Sequence, residues 1–175
     1  DDFIQGTPAD ATDPATRFLR MMNTMNGTDR ADPLRFRNVE ASLYGFDMDW
    51  ALRLTERLSV GGLVNYVRGE RRDIDDDLYR IAPLNATLRL DYARGPWGAT
   101  LETVAYASQD RISATNREQS TSGYALVNLR GTWQLHPQLQ LALGVDNLLD
   151  RDYAPHLGGY NRVRNPDLAI RERLD

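Results

Sequence analysis

Side chains with distinctive chemistry are few in this chain, and they fall between apolar stretches rather than inside them. Met21, Met22 and Met25 bring three thioethers close together. Thioethers are soft donors suited to Cu(I), and they also fill irregular packing adaptably. Arg71 and Arg72 precede Asp73, Asp75, Asp76 and Asp77. Such a segment suits a divalent cation or a phosphate, and equally a solvated loop. His156 lies near Asp152, Tyr153 and Tyr160. It reads as a ligand or metal contact, or as a loop histidine in water. His136 adjoins Pro137 and reads as an exposed turn residue. Met21, Met22, Met25, Arg71, Arg72, His156 and Tyr160 are thus the candidates for ligand contact. No Ser/His/Asp arrangement or paired-carboxylate motif stands out, so no enzymatic activity is expected and no cofactor is implied.

Composition narrows the classes. With 175 residues the chain makes one domain. The net charge of -4 argues against a nucleic-acid partner. All 21 basic residues are arginine. Cysteine is absent, which removes disulfides and thiolate metal sites. No apolar run is long enough for a transmembrane helix. A mean hydropathy of -0.55 leaves a membrane barrel open, because half of every barrel strand faces water.

The elements that position these residues are strands. Segments 38–54, 58–69, 83–92, 97–109, 124–135 and 139–147 read as strands by period-two alternation. Leu139, Leu141, Leu143 and Val145 alternate with Gln140, Ala142, Gly144 and Asp146. Ala86, Leu88, Leu90 and Tyr92 oppose Asn85, Thr87, Arg89 and Asp91. Connections alternate in length. Residues 55–57, 93–96 and 136–138 are tight polar turns, whereas 70–82 and 110–123 are long polar loops. Short turns at one end and long loops at the other are the plan of a transmembrane β-barrel. Most of these segments also approach the ten residues that a tilted strand needs to cross a bilayer. The expected fold is all-β: an antiparallel meander forming part of a barrel, with lipid on the apolar face.

Two local features refine that expectation. Val39, Ala41 and Leu43 are odd-numbered, whereas Tyr44, Phe46, Met48, Trp50, Leu52 and Leu54 are even. A β-bulge near Leu43 restores the facing; alternatively, the outer end of this strand rises above the membrane. Trp50, Tyr92, Trp97 and Trp133 lie near tight turns, and Tyr44, Tyr66, Tyr106 and Tyr124 lie toward the long loops. Two aromatic girdles at the membrane interfaces are expected.

Several segments carry a resemblance. Leu139-Gln-Leu-Ala-Leu-Gly-Val-Asp-Asn-Leu-Leu-Asp-Arg-Asp-Tyr153 looks like the V-x-N-L-F/L-D-x-x-Y signature of TonB-dependent outer-membrane receptors. Arg37-Asn-Val-Glu-Ala-Ser-Leu-Tyr-Gly-Phe-Asp-Met-Asp49 resembles that family's N-V…G-x-E-x-E strand, with Asp47 and Asp49 where Glu is usual. Arg80-Ile-Ala-Pro-Leu-Asn85 and Gly123-Tyr-Ala-Leu-Val-Asn-Leu129 resemble two later strand openings, and parts of the chain resemble the copper-associated subgroup. The resemblance implies the last strands of a 22-stranded barrel in the bacterial outer membrane, with the closing strand, the plug domain and the Ton box outside residues 1–175. It implies a receptor that takes up a metal chelate, such as a ferric or copper complex, or another scarce nutrient. Its partners would be outer-membrane lipid and, through the missing parts, TonB. It assigns Asn147 and Asp150 to the strand-to-loop corner. A smaller outer-membrane barrel enzyme or adhesin is the alternative.

Overall fold

The computed structural model describes residues 2–26 and 34–158. The described chain runs β1 (Asp2–Pro8), α1 (Pro14–Met25), β2 (Leu34–Arg53), β3 (Leu58–Arg71), β4 (Asn85–Arg94), β5 (Trp97–Tyr106), β6 (Tyr124–His136) and β7 (Leu139–Val145). All seven strands join in one antiparallel sheet in sequence order. The meander, its tight turns at one end and its long loops at the other follow the alternation in the sequence.

Register shows which residues share a face. Asp49 pairs with Leu63, Leu63 with Thr87, Thr87 with Val104, and Val104 with Leu126. Leu88 pairs with Thr103, which pairs with Val127; Leu90 pairs with Leu101, which pairs with Leu129. Leu129 in turn meets Val145. Leu88, Leu101, Val127, Leu129, Leu141 and Leu143 therefore lie on one face, as their alternation requires. Asn85, Arg89, Glu102, Asn128, Arg130 and Gln140 lie on the other. The apolar face is exposed over its whole extent: Phe46, Met48, Leu52, Leu88, Leu101 and Leu143 all have free surface. Such an apolar expanse is unsuited to water and suited to lipid.

The polar face is knitted across strands. Asn65 Nδ2 donates to Asn85 Oδ1 at 3.0 Å, and Thr100 Oγ1 donates to Asp91 at 2.7 Å. Glu102 accepts from Asn128 at 3.0 Å and from Arg130 at 3.3 Å, while Arg130 also reaches Asp146 at 2.9 Å.

One expectation is decided between its two alternatives and a second is corrected. The β2–β3 register is continuous from Ala41 to Arg53, so no bulge reverses the facing. The outer part of β2 instead climbs past the apolar belt to pair with β1. There Val39 and Ala41 face the polar side and are buried with Leu78 and Ile81 of the following loop. At the same height Gly69 leaves room for Leu78, whose Cδ1 would stand 2.8 Å from any Cβ there. Second, the girdle nearer the loops is only half real. Tyr44 and Tyr66 share the apolar face with Phe46, but Tyr106 and Tyr124 pair with each other and belong to the polar face. All four aromatics near the tight turns do lie on the apolar face.

The register yields a direct test. Leu88→Arg places a charge on the lipid face at mid-strand, at a cost of about 2–4 kcal/mol. Thr87→Arg places the same charge on the polar face. Heat-modifiability gels of the full-length receptor should show impaired assembly for the first variant and normal assembly for the second. Equal assembly would refute the facing.

Candidate functional site

The side chains available for chemistry gather at the loop end of the sheet, where half-buried Asp76 and buried Glu118 hold the loops together. Residues 113–118 form a compact turn, closed by Arg117 N on Ala114 O and Glu118 N on Ser113 O, both at 3.0 Å. Its free amides point outward toward two acids. Asp76 accepts from Ala114 N at 2.7 Å, Thr115 N at 3.1 Å and Ser113 Oγ at 3.1 Å. Glu118 accepts from Ser113 N and Arg80 N, each at 2.9 Å. Arg80 reaches this position with φ 61, a left-handed conformation uncommon for a side chain of its size. Carboxylates among convergent amides form strong charge-assisted hydrogen bonds. For Asp76, burial alone raises the carboxyl pKa, but hydrogen bonds from Thr115, Ala114 and Ser113 outweigh it and hold the pKa below 3.8.

His156 completes the latch. Its Nε2 meets Glu118 Oε1 at 3.1 Å and its Nδ1 meets Thr121 Oγ1 at 3.3 Å. The side chains of His156 and Glu118 are each 2 % exposed. The histidine is therefore not a solvated loop residue, and both ring nitrogens are engaged by the protein. Gln109 adds a bond to Ile81 O at 2.9 Å. Loops 72–84, 107–123 and 146–158 are thus tied together as one cap over the outer rim.

The other candidates are dispersed. Arg71 is fully buried and forked onto Asp73, with Nε–Oδ1 at 2.9 Å and Nη2–Oδ2 at 2.5 Å. The Arg71 bond is the leading cause that lowers the Asp73 carboxyl. Arg72 is exposed, and its amide continues the ladder to Glu40 O at 2.8 Å. Among the described residues, no three acidic or histidine side chains converge as a metal cage. Tyr160 lies outside the described residues. Met21, Met22 and Met25 all lie exposed on α1. With 3.6 residues per turn, they fall within about 100° of the helix circumference. Asp13 starts α1 by accepting from Thr16 N at 3.2 Å and ties it to β2 through Arg35 at 3.4 Å. This helix was not among the expected elements, although Asp13, Pro14 and the spacing of Phe18, Met21, Met22 and Met25 signal one.

Two clefts open among the loops. One of about 350 Å³ lies between Tyr66, Arg68, Ile81, Gln109 and Arg111, where Arg111 donates to the Tyr66 hydroxyl at 3.1 Å. The other, about 470 Å³, is bordered by Thr121, Tyr124, Asp152 and Tyr153. Tyr106, Tyr124 and Tyr153 form a ring stack beside it, with centroid separations of 5.0 and 4.9 Å. This stack was hidden because its members come from three different elements. Asn147 and Asp150 occupy the corner after β7 with φ 52 and 48. Asn147 closes that corner on Arg151, accepting at 2.9 Å and donating at 3.0 Å.

A meander with one lipid-compatible face, tight turns at one end and a latched loop cap at the other defines a segment of an outer-membrane receptor barrel. The chain belongs to the TonB-dependent receptor family: the description "TonB dependent receptor-like, beta-barrel" matches residues 1–148, and the protein resides in the bacterial outer membrane. No curated protein matches it in sequence. Among solved structures, 32 chains match. One is the copper transporter OprC, similar with a TM-score of 0.74 and 25% identity over 89% of this chain. The chain spans 22% of the length of that protein.

The latch predicts an acid-sensitive cap. Because the folded pKa of Asp76 lies below the ordinary value, its contribution is complete above 3.8 and fades as pH falls through the folded value. Hydrogen-exchange protection of the Ala114 and Thr115 amides, corrected for intrinsic rates, should hold at pH 5 and above and be lost only as pH falls below the ordinary aspartate value. At neutral pH, Asp76→Asn should lower that protection by ~2 kcal/mol. Unchanged protection in both experiments would remove Asp76 from the latch.

Proposed function

We propose that this chain is part of the barrel wall and loop cap of a receptor that takes up a scarce metal across the outer membrane. Copper is the cargo best supported. The observation that carries this reading is α1, which presents three methionine thioethers on one exposed helical arc at the outer side. Soft sulfur donors without cysteine select Cu(I) over harder ions. The likeness to a copper transporter over 89% of the chain supports the same cargo. The plug, the Ton box and the remaining strands belong to the rest of the protein. TonB acts through those parts, and the cap here receives cargo before the plug gates its passage.

A metal chelate is the second reading. It draws on the exposed Arg72 and on Tyr160, and on the two loop clefts, each large enough for a small ligand. Arg71 and His156 would serve it by holding the loops rather than by touching the ligand, since their polar atoms are largely committed to Asp73, Thr121 and Glu118.

Titration calorimetry of the full-length receptor with Cu(I) under reducing conditions separates the two. Changing Met21, Met22 and Met25 together to Leu keeps bulk and removes the donors. Affinity should fall by about tenfold or more with folding unchanged. Identical curves for receptor and variant would remove α1 from the site and favour the chelate, in which case Arg72→Gln should reduce uptake.

A further inference from the structure

The apolar face carries a groove of about 200 Å³ near the tight turns, walled by Trp97 and Trp133 on one side and by Leu141 and Leu143 on the other. Gly131 forms its floor. That glycine is not demanded by its backbone or by crowding. A Cβ built there would meet nothing nearer than Gly98 O at 4.0 Å. Glycine inside a strand forfeits packing and marks places where another group comes close. Here the open space faces lipid. Trp97 and Trp133 stack at the mouth with centroids 4.4 Å apart, at the height where indoles prefer the headgroup zone.

A second observation lies beside the first. Arg94 pairs with Trp97 across the β4–β5 turn, so it shares the apolar face with the stacked indoles. It is exposed, and among the described residues its side chain enters no ion pair or hydrogen bond. One strand spacing, about 5 Å, separates it from Trp97 in the groove wall and a second from Trp133, a span its long side chain helps to cover. An arginine at the edge of a lipid face is a natural partner for phosphate oxygens.

We propose that this face binds one phospholipid of the periplasmic leaflet at a fixed site. An acyl chain lies over Gly131 between the tryptophans and Leu141 and Leu143, and the phosphate meets Arg94. The groove is continuous with the lipid-facing surface and its floor lies on β6, which is paired on both sides, so lipid is what covers it. This site is separate from the cap and does not depend on the identity of the cargo.

Native mass spectrometry of the full-length receptor in mild detergent, titrated with phosphatidylglycerol, tests the site. Gly131→Leu fills the groove from its floor, and Arg94→Gln removes the phosphate partner while leaving the groove intact. Each should weaken the first bound lipid by about tenfold. Leu88→Ala, on the same face but away from the groove, should leave it unchanged. Heat-modifiability gels report whether each barrel is folded; if Gly131→Leu does not fold, Arg94→Gln and Leu88→Ala decide. Equal lipid retention by wild type and the folded groove variants would show only interchangeable annular lipid and overturn the proposal.

Discussion

Inside hydrocarbon there is no water to satisfy a backbone amide, and every N–H and C=O of the spanning segments must find a partner in the protein. That constraint explains why the sheet is a meander with neighbour-to-neighbour pairing and a continuous ladder from β2 to β6. It also explains the sharpness of the facing. A slip by one residue exchanges the two faces of a strand, which here would move Arg89, Asp91, Glu102 and Arg130 into lipid. The single register shift in β6–β7 falls between Gln134 and His136, at the turn, where water can satisfy what the ladder leaves open.

The same constraint relaxes above the membrane, and the structure changes character there. Beyond the belt, the outer part of β2 buries Val39 and Ala41 against Leu78 on the polar face. This small apolar cluster is minor beside the polar latch that surrounds it. Fully buried Ser113 and Asn116 sit beside buried Glu118 and His156, an inventory opposite to that of a soluble core. Loops without a sheet to order them acquire order from carboxylates that collect amides. One acid each from loops 72–84 and 107–123 is enough to bind the loops mutually.

What the sequence disclosed follows from how local each cause is. Alternation and turn length are short-range properties, so strands, turns and the lipid face were legible from residues such as Leu88, Val127 and Leu141. The corner residues Asn147 and Asp150 were legible because their side chains bond only a few positions away. The facing of β2 was left open at Leu43, between a bulge and an outer end above the membrane, because what decides it sits in Leu78, 35 positions later. Tyr106 and Tyr124 have the interfacial residue type, but parity assigns them to the polar face, where Tyr153 from a distant loop stacks on them. His156 resembled a loop histidine in water because Thr121 and Glu118, the groups that bury it, are more than thirty positions away.

These scales of order bear on where cargo can be held. The strand polar face spends its charges on neighbours: Glu102 on Asn128 and Arg130, Asp91 on Thr100, Arg130 on Asp146. Groups so paired have little left for a ligand, and breaking them would leave charges exposed to each other without compensation. The latch likewise commits Asp76, Glu118 and His156. Among the described residues, the groups left open at the outer side include the methionines of α1, the Arg72 side chain and the clefts between loops. In the proposed reading, capture by these elements would leave the wall unaltered, which is what a barrel sealed by continuous backbone pairing requires.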